Sequence, residues 1–148
     1  MARYVQVGIR GPMYGEDEDF GYQRGLGVTT LDIGMVKRDG VQETLRRARD
    51  IAGSSPVYLT FDIDSVDPAF APGTGTPEVG GLTPREALAI LRGLAGIDVI
   101  GADVVEVAPQ YDATTNTAHV GAQMLFTELC LVAANPKRTK QTASATRR

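Results

Sequence analysis

Residues 57–77 read VYLTFDIDSVDPAFAPGTGTP, and this stretch decides the fold of the chain. Its first five residues are mostly β-branched or aromatic, which is typical of a buried strand. Asp62 and Asp64 follow directly, and a loop rich in proline and glycine comes next. Side chains two residues apart share one face of a strand, so we expect Asp62 and Asp64 to point the same way. Open α/β sheets place their ligands at this carboxyl end.

Strand-like and helix-like segments alternate on both sides of this stretch. Further strands are predicted at residues 4–9, 27–31 and 98–105. One helix is predicted to begin at Asp39, with Gln42 three residues later, and a second at Thr83, with Pro84 and Glu86 in its first turn. An apolar helix at 117–134 closes the domain. Strands that alternate with helices indicate βαβ units, and so an α/β fold with a mostly parallel sheet.

The composition suits one globular domain. The chain has 148 residues, of which 43% are hydrophobic and 22% charged. We expect residues 1–134 to form the domain and residues 135–148 a basic disordered tail. No apolar run is long enough for a membrane span, and the first residues lack the apolar core of a signal peptide. Cys130 lies in an apolar stretch and is predicted in the core, and a single cysteine fits a reducing cytoplasm.

The net charge of −3 hides an asymmetry. Five basic residues and no acidic ones follow residue 136, so subtracting these five charges leaves −8 on residues 1–136. An acidic body argues against nucleic acid as the main partner and would suit a cationic small molecule. We therefore expect a small-molecule ligand and neither a nucleic-acid nor a membrane partner.

Asp62 and Asp64 are candidate metal ligands. Two carboxylates a few ångströms apart repel each other unless a positive charge lies between them. Oxygen ligands favour a hard divalent cation such as Mn²⁺ or Mg²⁺. The structural alternative is a pair of solvated loop aspartates. A second enzymatic alternative is a haloacid-dehalogenase-like phosphatase, whose nucleophile motif fits Asp62–Val66, but the only lysines after it, Lys137 and Lys140, lie in the polar tail.

Residues 61–77, taken whole, closely resemble the signature of the ureohydrolases, the family of arginases, agmatinases and guanidinobutyrases. Residues 104–112, VVEVAPQYD, resemble the glutamate segment of that family. About residues 4–134 can be placed on the family, best on its agmatinase and guanidinobutyrase branch. The resemblance implies a three-layer α/β/α sandwich, a binuclear manganese centre, and hydrolysis of a linear guanidino compound to urea and an amine.

The resemblance also implies roles for individual residues. Asp62 and Asp64 match two metal-ligand aspartates, and Glu106 matches the carboxylate that receives the guanidinium. A carboxylate can take a planar guanidinium in a two-point fork, which agrees with that role. Thr76 matches a threonine that hydrogen-bonds near this glutamate and supports it. We expect structural roles for Asp67, Asp103 and His119.

The chain departs from the family in one large respect. The early Gly-Gly-Asp-His and Asp-Ala-His-x-Asp segments, which supply the other metal ligands of the family, are absent from this sequence. We therefore expect the carboxyl-terminal half of a ureohydrolase, which would be homo-oligomeric if intact. The alternative is a non-catalytic module of the family. In residues 13–20, Glu16 and Asp17 would favour a substrate with a cationic tail if they border the cleft; otherwise they are acids at a helix start.

Overall fold

The computed structural model describes residues 3–12, 16–135 and 137, and for residues 16–20 it describes the backbone alone. Strands and helices alternate along this part of the chain, as predicted. They are β1 (Tyr4–Val7), α1 (Glu16–Gly25), β2 (Val28–Leu31), α2 (Ile33–Ala52), β3 (Val57–Asp62), α3 (Pro84–Gly93), β4 (Val99–Val105) and α4 (Asn116–Ala133).

The strands pair in parallel. Within the described residues they form two sheets of two strands, β1 with β2 and β3 with β4, rather than the one sheet expected from the sequence. Tyr4 lies opposite Val28 in the first sheet, and Asp62 lies opposite Val105 in the second. Because both strands of the second sheet run the same way, the residues that follow Asp62 and Val105 emerge side by side at one edge.

An apolar cluster joins the two sheets and three of the helices. Buried Phe61 and Ile63 from the β3 segment contact it, and partly buried Val7 from β1 packs against it. The helices contribute Val36 from α2, Ala87 and Leu91 from α3, and Met124 from α4. Burying a side chain of this size typically contributes about 1.5–3 kcal/mol, so this cluster fixes the carboxyl end of β3 relative to β1.

Thr83 is the N-cap of α3, as predicted. Its hydroxyl accepts a hydrogen bond from the Glu86 N–H, and the Glu86 carboxylate accepts one from the Thr83 N–H at 2.8 Å. α2 consists of two helical segments that meet at Gly40, where the backbone is non-helical with a φ of 81°, so the predicted start at Asp39 coincides with the start of the second segment. The prediction missed the first segment, which Asp32 caps by accepting from the Met35 N–H at 2.8 Å. Asp39 forms an ion pair with Arg38.

One face of α4 is apolar and exposed. Leu125, Phe126 and Leu129 are 51%, 62% and 62% exposed, and Cys130 shares their side of the helix. The prediction that Cys130 lies in the core is therefore wrong: the buried stripe of α4 runs through Met124 and Leu131 instead. Among the described residues, none of the helices combines the length and hydropathy needed to cross a bilayer.

Glu128 lies on the buried face of α4 and is 0% exposed. Neither oxygen of its carboxyl group has a hydrogen-bond partner among the described residues. Burial and, to a smaller degree, the Asp103 carboxylate raise the pKa of Glu128 from 4.5 to about 7. Because removing water disfavours the charged form, the folded chain keeps a proton on Glu128 that the unfolded chain releases near pH 4.5.

This difference predicts a stability that falls as pH rises. The folded state binds the extra proton between about pH 4.5 and pH 7. The free energy of unfolding should therefore decrease across that window, by up to about 3 kcal/mol for a shift of this size. Glu128→Gln should remove most of the slope and leave the protein more stable than wild type at pH 8, as measured by urea unfolding.

The matched control is Glu43→Gln, since Glu43 is an exposed carboxylate of α2 that ion-pairs with Arg46. This substitution should leave the slope between pH 4.5 and pH 7 in place. A wild-type stability that is flat or rises over this range would contradict the assignment to Glu128.

Candidate metal and substrate site

Asp62 and Asp64 lie together at the carboxyl end of β3, but not as two residues of one strand. Asp62 is the last residue of the strand, and residues 63–65 form a single 3-10 turn that carries Asp64. The expectation that both belong to one face of a strand is therefore wrong. The turn brings them together in another way, because Asp62 Oδ1 accepts a hydrogen bond from the Asp64 N–H at 3.1 Å.

Thr76 links the loop at residues 66–78, which we call the Pro/Gly-rich loop, to this turn. Its hydroxyl donates to Asp64 Oδ2 at 3.0 Å. The structure thus places the direct contact of Thr76 on the aspartate, whereas the sequence resemblance suggested a bond near Glu106. A threonine that holds one oxygen of Asp64 leaves the other oxygen of that carboxylate available to a cation.

The same loop is attached to the segments that follow β4. The Gly73 N–H donates to the Thr117 hydroxyl at 2.7 Å, and the Ala108 N–H donates to the Gly73 carbonyl at 2.8 Å. A Cβ added to Gly73 would lie 2.7 Å from Asp112 Cβ, so only glycine fits at this position. The loop is therefore held on both sides by the chain between β4 and α4.

Glu106 follows β4 directly, as predicted, and so emerges beside the β3 turn. Its φ is 63°, in the left-handed region that non-glycine residues seldom adopt. A Cβ added to Gly75 would lie 3.8 Å from Glu106 Oε2, so the loop passes close to this carboxylate without excluding it. Unusual backbone conformations of this kind concentrate at functional sites.

The three carboxylates share one electrostatic environment. Partial burial raises the pKa of Asp62, and the charges of Asp64 and Glu106 add to that rise, although the Asp64 N–H bond opposes it. A divalent cation beside Asp62 and Asp64 would relieve this repulsion. The oxygen donors fit a hard cation in chemical type. The described residues supply too few ligands for a complete metal site, because nowhere among them do three or more Asp, Glu, His or Cys side chains form a group that could hold a metal ion.

Two of the residues predicted to be structural, Asp67 and Asp103, make hydrogen bonds within the fold, and the predicted structural role of His119 stays a prediction. The Asp67 carboxylate accepts from the N–H groups of Ala69, Gly80 and Gly81, so it closes the loop on itself. Asp103 accepts from the Tyr58 hydroxyl across the β3–β4 pair at 2.8 Å. His119 is exposed near the start of α4. The side chains of Glu16 and Asp17 lie outside the described residues.

Sequence reasoning missed two groups that hold the site. Asp112 is buried, and its carboxylate accepts from the N–H groups of Thr114 and Thr117 at the start of α4. These hydrogen bonds, first that of Thr117, hold the pKa of Asp112 well below its usual range. Arg10 is the second, and its guanidinium reaches carbonyl groups at both ends of the loop. An acidic residue just before an apolar helix is a signal that could have found Asp112.

Comparison with known proteins gives a consistent result. A sequence model of the Arginase family matches residues 1–130. Guanidinopropionase of Pseudomonas aeruginosa is 48% identical over 137 residues, which cover 93% of this chain and 43% of that protein. A hypothetical agmatinase from Burkholderia thailandensis is similar in structure, with a TM-score of 0.75, 52% identity, and coverage of 86% of this chain and 37% of that one.

The fold likeness extends to a more distant relative. An arginase from Bacillus caldovelox aligns with a TM-score of 0.74 and 29% identity, over 84% of this chain and 42% of that one. The predicted arginase-like α/β fold is thereby confirmed, and the chain spans about two fifths of the length of the relatives it matches. The haloacid-dehalogenase alternative gains no support from these matches.

The contacts of Gly73 predict that alanine substitution destabilises the protein much more at Gly73 than at Gly75. Gly73→Ala should lower the free energy of unfolding by about 1–3 kcal/mol, because the new methyl group would overlap Asp112 and Thr117. Gly75→Ala, two residues away, should change it by less than about 0.5 kcal/mol, since its Cβ would be in ordinary contact. Urea unfolding of both variants measures this, and equal losses would contradict the described path of the loop.

Proposed function

Because the chain belongs to the arginase family, we propose that it contributes to a manganese-dependent ureohydrolase that converts a linear guanidino compound to urea and an amine. The observation that carries this proposal is the meeting of Asp62, Asp64 and Glu106 at the carboxyl ends of two adjacent parallel strands. In this arrangement a pair of carboxylates that would bind a cation lies near a carboxylate that would bind a guanidinium.

Asp62 and Asp64 would hold manganese together with ligands from outside the described residues. A divalent cation supplies, when bound, the activation of water as a nucleophile near neutral pH. Asp62 Oδ2 is free of the bond that Oδ1 makes to the Asp64 N–H, and Asp64 Oδ1 is free of the bond that Oδ2 makes to Thr76. Each aspartate therefore keeps one oxygen fixed and offers the other.

Glu106 would bind and orient the substrate. A carboxylate accepts two parallel N–H bonds from a guanidinium, which fixes both the position and the plane of that group. The left-handed backbone at Glu106 turns the chain out of the strand beside the β3 turn. A substrate held in this way would lie beside the edge that carries Asp62 and Asp64, and orientation of this kind is a large part of catalysis.

The charge of the substrate tail depends on other residues than the guanidinium site. The names of the relatives include guanidinopropionase, whose name implies a substrate with an acidic tail, and agmatinase, whose name implies a cationic one. The acidic stretch with Glu16 and Asp17 would favour a cationic tail if it borders the cleft, as in agmatine. On this ground we propose an agmatine-like substrate.

The remaining parts of the proposal follow from the family and the sequence. We propose a cytoplasmic homo-oligomer, a folded unit at residues 1–134 and a basic tail at residues 135–148. A non-catalytic role within the family is the second candidate. The observation that favours it is the incomplete ligand set of the described chain.

The isolated chain should release no urea from agmatine at a useful rate, with or without Mn²⁺, because two aspartates cannot provide the roughly six oxygen donors that hard cations prefer. Co-expression with the amino-terminal part of a close relative should restore both Mn²⁺ uptake and urea release. The measurements are metal analysis and a urea assay on the purified complex. A complex that takes up Mn²⁺ and releases no urea would favour the non-catalytic candidate.

In that complex, Glu106→Gln should separate substrate binding from metal binding. The amide cannot accept two charge-assisted hydrogen bonds, so kcat/KM for agmatine should fall by about a hundredfold or more. Mn²⁺ content should be unchanged. Asp64→Asn is the matched variant, and it should lower the Mn²⁺ content itself. Loss of Mn²⁺ in Glu106→Gln would show that Glu106 serves the metal, which contradicts the role assigned to it.

A further inference from the structure

Arg10 joins two distant segments of the chain through a single side chain. It lies just after β1, and its guanidinium is partly buried between the β3 turn and the end of the Pro/Gly-rich loop. Its Nη2 donates to the Asp64 carbonyl and, at 2.7 Å, to the Glu78 carbonyl. Its Nε donates to the same Glu78 carbonyl at 3.2 Å.

The segment that carries Arg10 is itself held firmly. The Gly8 N–H donates to the Leu31 carbonyl at 2.8 Å, and the Ile33 N–H donates to the Ile9 carbonyl at 3.0 Å. Gly8, with a φ of 88°, packs against the Leu82 side chain. Arg10 therefore extends from an anchored backbone toward a turn and a loop that lie on another sheet.

The loop between these two carbonyls closes on itself at its base. The Asp67 N–H donates to the Leu82 carbonyl at 2.8 Å, and the Leu82 N–H donates to the Ser65 carbonyl at 2.9 Å. The Asp67 carboxylate also ties down Gly80 and Gly81. None of these bonds fixes the Asp64 carbonyl. Within the described residues, Arg10 is the group that donates to it.

We propose that Arg10 is a positioning residue that locks the Asp64 turn to the end of the loop at Glu78 and so fixes the direction of the Asp64 carboxylate. This inference rests on the proposed function for the identity of the cation, but the lock is a property of the chain alone. Outer groups that orient metal ligands in this way typically change metal affinity by about 10–100-fold when removed.

The charge of Arg10 and its hydrogen bonds have opposite effects on Mn²⁺ affinity, so the direction in which a substitution changes that affinity shows which effect is larger. A cation beside an acidic site repels Mn²⁺, so loss of the charge alone would tighten Mn²⁺ binding. Loss of the lock would weaken it, because Asp64 would no longer be held in place. Arg10→Met removes both and should weaken binding if positioning dominates. Arg10→Lys keeps the charge but replaces the planar fork with one ammonium group, so it should not restore wild-type behaviour.

The experiment uses the 148-residue chain co-expressed with the amino-terminal part of a close relative, as wild type and with Arg10→Met, Arg10→Lys and the control Arg3→Met. Arg3 is an exposed arginine that donates to one carbonyl, that of Ala52, at the opposite end of β1. Two readouts are taken: Mn²⁺ affinity by electron paramagnetic resonance titration, and hydrogen exchange of the amides of Asp64, Gly81 and Leu82.

Arg10→Met should lower Mn²⁺ affinity by about tenfold and speed exchange of these amides by about fivefold or more, while Arg3→Met changes neither. Unchanged or tighter Mn²⁺ binding in Arg10→Met would overturn the proposal, as would full recovery in Arg10→Lys. If the wild-type complex takes up no Mn²⁺, the metal part of the proposed function fails. The exchange rates then decide the lock, since unchanged rates in Arg10→Met overturn it and faster rates support it.

Discussion

The parallel pairing of β3 with β4 is the constraint on which the site depends. Asp62 lies opposite Val105, so the chain leaves both strands at the same level of the sheet. This register brings the turn with Asp64 and the residue Glu106 together at one edge of the sheet. A slip of one residue in either strand would turn Asp62 or Val105 to the opposite face and separate the carboxylates.

The Pro/Gly-rich loop is hydrogen-bonded to the segments that carry these carboxylates. It is held at Asp64 by Thr76, at α4 by Thr117 and at the segment after β4 by Ala108. Each of these contacts is a hydrogen bond of ordinary length, and each joins residues far apart in the sequence. The loop is therefore stabilised by the same elements that carry the carboxylates, and a change in one is transmitted to the others.

Much of this arrangement is predictable from the sequence, and the exceptions have physical reasons. The alternation of strands and helices, the start of α3 at Thr83 and the position of Glu106 after β4 follow from local patterns. The start of α2 does not, because Asp32 and Asp39 are both acceptable caps, and the left-handed Gly40 lies inside the helix. The role of Arg10 depends on partners 54 and 68 residues along the chain, which local patterns do not contain. The role of Asp112 depends on Thr114 and Thr117, which lie close to it in sequence. Cys130 was misplaced because α4 is apolar on two faces, and only packing decides which of them is buried.

The close approach of three carboxylates at the site is electrostatically unfavourable in the absence of a cation. Asp62, Asp64 and Glu106 repel one another, and partial burial of Asp62 adds to that cost. The Asp64 N–H, which donates to the Asp62 carboxylate, offsets part of it. The remainder is the free energy that a bound cation would recover, because opposite charge favours the ionised form of every carboxylate around it. A chain that concentrates acids at one edge of a sheet, and supports them with neutral donors, is therefore less stable without a cation than with one. A cation bound to Asp62 and Asp64 would therefore also stabilise the loop, because Thr76 joins that loop to the Asp64 carboxylate.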